Sequence, residues 1–171
     1  MGMAPVALPA TTGRCSGAVK SADPNKVVAA RGWLGTPYHD QASVKGVGCD
    51  CLGLARGVWR EVVGSETMPV PPYSRDWGET RGREVLADSA ARVLIRIDPT
   101  DAGPGAVVLF RMRAGAVVKH VGILTGPDSF IHSYERLGVI EEPLTLAWRR
   151  RIAFAFLFPR PAAKPCRKKK S

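Results

Sequence analysis

The sequence predicts an α+β domain in which N-terminal helices pack on a mainly antiparallel sheet of five or six strands. Three observations predict it. Helix signals are confined to residues before about 94, short β-rich runs separated by turn residues follow in series from 105 to 158, and the last run, Ile152 to Phe158, is apolar on both faces. A chain of 171 residues, 45% hydrophobic, can bury one sizeable core and seldom two. The expected organisation is an irregular segment 1–23, one domain over 24–159 and a basic flexible tail 160–171.

Asp23 offers a cap and Pro24 a first helical position for a helix whose Val27, Val28, Ala30 and Leu34 can face the core before Gly35 and Pro37 stop it. A second helix is predicted from Cys51 to Val63. Its residues Cys51, Ala55, Val58, Trp59 and Val62 follow the spacing of one buried stripe, and Gly64 ends it. "MPVPPYSRDWGET" reads as a proline-rich loop, and "ETRGREVLADSAARV" as a third helix. Strands are then predicted over 105–112, 116–125, 129–134, 138–143 and 151–158, with Arg149 to Arg151 as a charged entry to the last. Since Ile152, Phe154, Phe156 and Phe158 alternate with Ala153, Ala155 and Leu157, that strand belongs inside the sheet.

Composition narrows the partners. With 25 Lys and Arg against 15 Asp and Glu the chain carries a formal +10, which favours encounters with polyanions such as acidic wall polymer, nucleic acid or a membrane surface. Six of those ten charges fall on residues 160–171, leaving +4 on residues 1–159. Basic residues without interleaved aromatics give no platform for nucleic acid, and none is expected as a partner. No run approaches the about 18 apolar residues of a membrane span. Arg14 is the first basic residue, and Pro5 and Pro9 interrupt the short apolar run before it, so the start does not read as a signal peptide. Synthesis in the cytoplasm is the expectation. Cys15, Cys49, Cys51 and Cys166 are too few and too unevenly spaced for a disulfide framework.

The chemistry centres on "GVGCDCLGLARGVW". Cys51 falls in the first turn of the second helix, with Asp50 as its N-cap, where free backbone N–H groups and the helix dipole favour a thiolate and can hold an oxyanion. The alternative is a small hydrophobe filling the core. A nucleophile needs a base, and only His39, His120 and His132 are available. His120 and His132 fall on adjacent strands joined by "TGPDS". A three-residue loop pairs them directly, whereas a slip of two residues leaves them diagonal on the same face. Facing a helix that presents Cys51, they form a thiol, base and orienter set, and Gly122 leaves space beside His120 for an approaching group.

These segments resemble a known family. "GTPYH", "GCDCLGLA", "KHVGIL" and "FIHSYERLGVIEEPL" together are similar to the NlpC family of papain-like cysteine peptidases, and most of all to its phage and gene-transfer-agent tail branch of cell wall peptidases. The resemblance spans about residues 24–159. It implies a papain-like fold, Cys51 as nucleophile, His120 as general base and His132 as the residue orienting it. It also implies Tyr38 lining the cleft near the oxyanion and Asp50 helping to bind the substrate, a peptidoglycan stem peptide, with no cofactor and no metal. Delivery to the envelope would follow from assembly with phage-like tail proteins. Leu52 stands where the family usually has Ser, and Ala106 where it often has Asp. Two alternatives remain: a catalytically silent structural tail protein of the same fold, and a zinc module using Cys49, Cys51, His120 and His132, whose spacing fits poorly.

Overall fold

The computed structural model describes residues 23–70, 73 and 82–161. Helix α1 (Pro24–Arg31) starts as its sequence dictates: Asp23 accepts a hydrogen bond from the Asn25 amide, and Pro24 occupies the first turn. Val27 and Ala30 are buried, but Val28 is 70% and Leu34 45% exposed. The inward position expected of Leu34 is taken by Trp33, 2% exposed, because the chain leaves the helix in a turn after Arg31. A small hairpin, β1 (Ser43–Val44) and β2 (Gly48–Cys49), precedes α2 (Cys51–Val62). On α2 the buried residues are Gly53, Leu54, Gly57, Val58 and Trp59, while Cys51, Ala55 and Val62 pack at the margin of the core.

Helix α3 (Val85–Val93) leads into a three-residue strand, β3 (Ile95–Ile97), too short to announce itself in sequence. Strands β4 (Val107–Phe110), β5 (His120–Gly126), β6 (Ser129–Tyr134), β7 (Gly138–Pro143) and β8 (Ile152–Leu157) complete a six-stranded sheet in the order β3-β8-β4-β5-β6-β7. Every pairing in it is antiparallel. The doubly apolar β8 lies between β3 and β4, as its pattern requires. Between β7 and β8 the chain forms a four-residue helix, α4 (Leu146–Arg149), capped by Thr145, where a charged strand entry was expected. There Arg149 turns back to Asp128 and the Pro127 carbonyl.

Alternation splits the sheet residues into two apolar layers. Val107, Leu109, Val121, Ile123, Ile131 and Val139 join α1 and α2 in one cluster. Val108, Phe110, Leu124 and Phe130 form another on the opposite face, against Leu144 and Trp148. The segments 1–22 and 162–171, with Cys15, Cys166 and nearly all of the expected basic tail, lie outside the described residues. So do most of the proline-rich loop and the start of the predicted third helix.

Candidate active site

Asp50 ends the extended segment and caps α2, its Oδ1 accepting from the Gly53 amide at 2.6 Å. Gly53 is needed there because a Cβ would lie 1.8 Å from the Ala42 carbonyl oxygen, against which the first turn packs. Cys51, the first helical residue, is half-buried. Its Sγ is 4.0 Å from the Lys119 carbonyl oxygen, and the Val121 amide is directed at it. These two backbone groups flank His120, so the thiol sits against β5 at that residue.

The histidines are presented differently from the sequence expectation. The hairpin closes through Pro127 and Asp128, with Gly126 opposite Ser129 and a bulge between Leu124 and Gly126. Thr125, at the bulge, bonds Ser129 and Glu141 with its hydroxyl, which holds the irregularity in place. Leu124 therefore pairs with Phe130 rather than Asp128, and the direct pairing of His120 with His132 is replaced by a diagonal one. The imidazoles still meet, His120 Nε2 lying 2.7 Å from His132 Nδ1 with ring planes at 83°.

Nor do they face α2. Both rings lie on the other face of the sheet, against Phe110, Phe130 and Trp148, with Tyr134 beside them. The thiol lies instead against the backbone at His120, its Sγ near the Lys119 carbonyl and the Val121 amide, beyond the last regular β5–β6 pair on that side, Ile123 with Ile131. The space at Gly122 is filled too, because a Cβ there would lie 2.9 Å from Phe130 and 3.0 Å from Phe110. It admits two aromatic rings rather than a substrate.

Burial governs the electrostatics. Desolvation first, then the neighbouring Asp50 carboxylate, push the Cys51 thiol up to about 12, more than the amides of Val121 and of the helix start can offset. Burial, aided by His132, lowers His120 to about 3. It also lowers His132, against the opposing pull of Glu142. The resting pair is thus neutral thiol and neutral imidazole, in place of the dipole-stabilised thiolate that helix position alone suggests.

Asp50 is 3% exposed, and besides Gly53 its carboxylate accepts from the Gln41 amide at 2.9 Å and the Tyr73 hydroxyl at 2.5 Å. Those contacts engage both oxygens in the fold. Tyr38 is half-buried in a segment bridged to Cys49, the Cys49 amide donating to the Pro37 carbonyl and the His39 amide to the Cys49 carbonyl. Its hydroxyl points to Asp40, 3.4 Å away. Cys49 itself is fully buried, held by Ser133 through its carbonyl, and burial raises its thiol to about 11. Among the described residues no three His, Cys, Asp or Glu side chains are grouped as a metal centre requires.

Two site residues escaped sequence reasoning. Glu142 on β7 brings Oε2 to 3.2 Å from His132 Nε2, a contact visible only once the β6–β7 register, His132 opposite Ile140, is known. Trp148 stands on a four-residue helix too short to carry a periodic signal.

The profile of the NlpC/P60 family matches residues 35–155. The Escherichia coli K12 protein named murein DD-endopeptidase MepS/murein LD-carboxypeptidase is 32% identical over 123 residues, 70% of this chain and 54% of that protein. The chain therefore spans about half the length of the curated relatives it matches. Among solved structures, the NlpC/p60 domain of the peptidoglycan hydrolase SagA is similar at a TM-score of 0.52 and 22% identity, covering 79% of this chain and 98% of that one. An NlpC/P60 protein of Bacillus cereus ATCC 10987 is similar at 0.53 and 20% identity, covering 78% and 39%. At such identities these two structures establish the fold.

Proposed function

Because the chain belongs to the NlpC/P60 family, we propose that it is a cysteine peptidase that hydrolyses peptidoglycan stem peptides. The observation that carries the reading is the Cys51 thiol, in the first turn of α2, lying against the backbone of a histidine whose ring is held by a second histidine. His120 takes the Cys51 proton, the sulfur attacks the scissile carbonyl, and N–H groups at the start of α2 receive the tetrahedral oxyanion. His120 then returns the proton to the leaving amine and activates the water that clears the acyl-enzyme. Tyr38 lines the cleft beside this centre.

The bond proposed is that between D-glutamate and the diamino acid, supported by the sequence resemblance. A second reading, cleavage between two D-configured residues, is favoured by the name of the E. coli relative. Delivery within a phage-like tail is the route proposed to the cell wall, with tail proteins as partners. It is supported by the resemblance of the segments around Cys51, His120 and His132 to that branch.

The test is digestion of purified peptidoglycan by the wild type, Cys51→Ala and Cys49→Ala, with fragments identified by mass spectrometry and a chelator arm in parallel. Cleavage by the wild type and by Cys49→Ala, none by Cys51→Ala and indifference to chelator are expected. The fragment masses choose between the two bonds. Equal product from wild type and Cys51→Ala removes the nucleophile assignment, and no product from any folded variant favours a silent structural role.

A further inference from the structure

We propose that Glu142 is a positioning residue of the site, a fourth group that sets the direction of the proton path by holding both histidines in one tautomer. The inference rests on the reading of Cys51 and His120 as nucleophile and base. His132 is 1% exposed, and its Nε2, enclosed by protein, makes no aligned hydrogen bond. The polar atom beside it is Glu142 Oε2 at 3.2 Å, within ion-pair distance but off the hydrogen-bond line. The Glu142 side chain is 34% exposed, so a small rotation of its carboxylate aligns the contact without disturbing the core.

A carboxylate can only accept. If His132 carried its proton on Nδ1, its bare Nε2 lone pair would face an anion in a buried site, two acceptors in contact. Placing the proton on Nε2 removes that repulsion and leaves His132 Nδ1 as an acceptor. The 2.7 Å contact between the rings then requires His120 to donate from Nε2. His120 Nδ1 is left bare, the state in which a base can take a proton. One carboxylate two strands away thus determines which nitrogen of His120 is basic. Strand order supplies the geometry, since β5, β6 and β7 are consecutive and carry His120, His132 and Glu142 in turn. As the step requires, a single proton leaves Cys51 Sγ for His120 Nδ1, and no proton passes to Glu142.

The test is histidine-selective ¹⁵N NMR of the wild type, Glu142→Gln and Glu142→Ala under reducing conditions, with His39 as internal reference. Steady-state cleavage of a muropeptide isolated from peptidoglycan runs alongside. The expected wild-type spectrum shows His120 and His132 both protonated on Nε2 and bare on Nδ1. Glu142→Gln, whose amide oxygen still accepts, keeps that pattern. Glu142→Ala mixes the tautomers and lowers kcat on the order of 10- to 100-fold, a part of what a positioned general base supplies, with KM changed less than about twofold. A wild-type His120 protonated on Nδ1 overturns the proposal without any variant, as do unchanged tautomers and kcat in folded Glu142→Ala. If the wild type cleaves no muropeptide while its spectrum shows the expected tautomers, the peptidase reading fails and the assignment of Glu142 stands.

Discussion

Replacing Asp50 by Asn separates its structural duty from any contact with substrate, because stability and thiol reactivity should move in opposite senses. The carboxylate accepts three hydrogen bonds, from Gly53 N, Gln41 N and Tyr73 Oη, at 3% exposure. Asparagine keeps an oxygen for Gly53 and caps a helix as well as aspartate. Its amide nitrogen replaces the other oxygen, so the Tyr73 hydroxyl can rotate to accept, but the Gln41 amide loses its acceptor. Losing the acceptor of this part-buried donor costs about 0.5 to 1.5 kcal/mol, equivalent to a fall in Tm of about 1 to 6 °C for a domain of this size. Alanine strands all three donors and removes the cap, about 3 to 6 kcal/mol, which approaches the whole stability of a marginal domain. Asparagine is therefore the informative change. Its second effect has the opposite sense: the Asp50 charge helps hold the Cys51 thiol up, so its removal lowers the pH at which Cys51 becomes reactive. Thermal unfolding reads the first effect. Iodoacetamide labelling against pH reads the second, assigned by fragment ions because Cys49 and Cys51 share one tryptic peptide. A variant as stable as wild type, or one whose Cys51 labels at higher pH, refutes the reasoning.

The remaining predictions concern pH and packing. His120 and His132 are both held below the ordinary histidine value, so the unfolded chain binds protons that the native state refuses as pH falls below 6.5. Stability is expected to be fully present above that pH and to decline below it, by up to about 1.4 kcal/mol per pH unit for each histidine. Between pH 6.5 and about 5.5 the carboxylates with lowered values have scarcely begun to contribute. Denaturant midpoints there should flatten in His120→Gln, and an unchanged slope would count against burial as the cause. Gly122→Ala should cost about 1 to 3 kcal/mol by driving a methyl group into Phe110 and Phe130. Chemical denaturation checks it, and a neutral result would mean that the rings have room to move.

Much of the fold was legible in sequence because its signals are local. Asp23 with Pro24, Asp50 before Cys51 and the paired apolar faces of β8 each act through neighbours within a turn or along one strand. The misreadings arose where distant contacts decide. Leu34 lost its inward place to Trp33, and Arg149 entered a capped turn because Asp128 and the Pro127 carbonyl lie within its reach. The hairpin register shifted by two because the bulge at Thr125 is stabilised by Glu141, a residue of the next strand.

At the candidate site the sequence by itself determined which residues could do chemistry: one cysteine at a capped helix start, and two histidines whose period-two spacing keeps them on one face under either register. Tertiary structure alone decided how they meet. A strand pattern does not specify which face a helix will cover, and the histidine rings lie on the face opposite α2, while the thiol sits against the backbone that flanks His120. The protonation of the thiol was also beyond the local sequence, since dipole and N–H groups belong to the helix start but desolvation comes from everything packed around it. For the same reason Glu142 acquires a possible partner only when β7 is laid beside β6, and the Asp between the two cysteines proves to be a buried cap with both oxygens engaged.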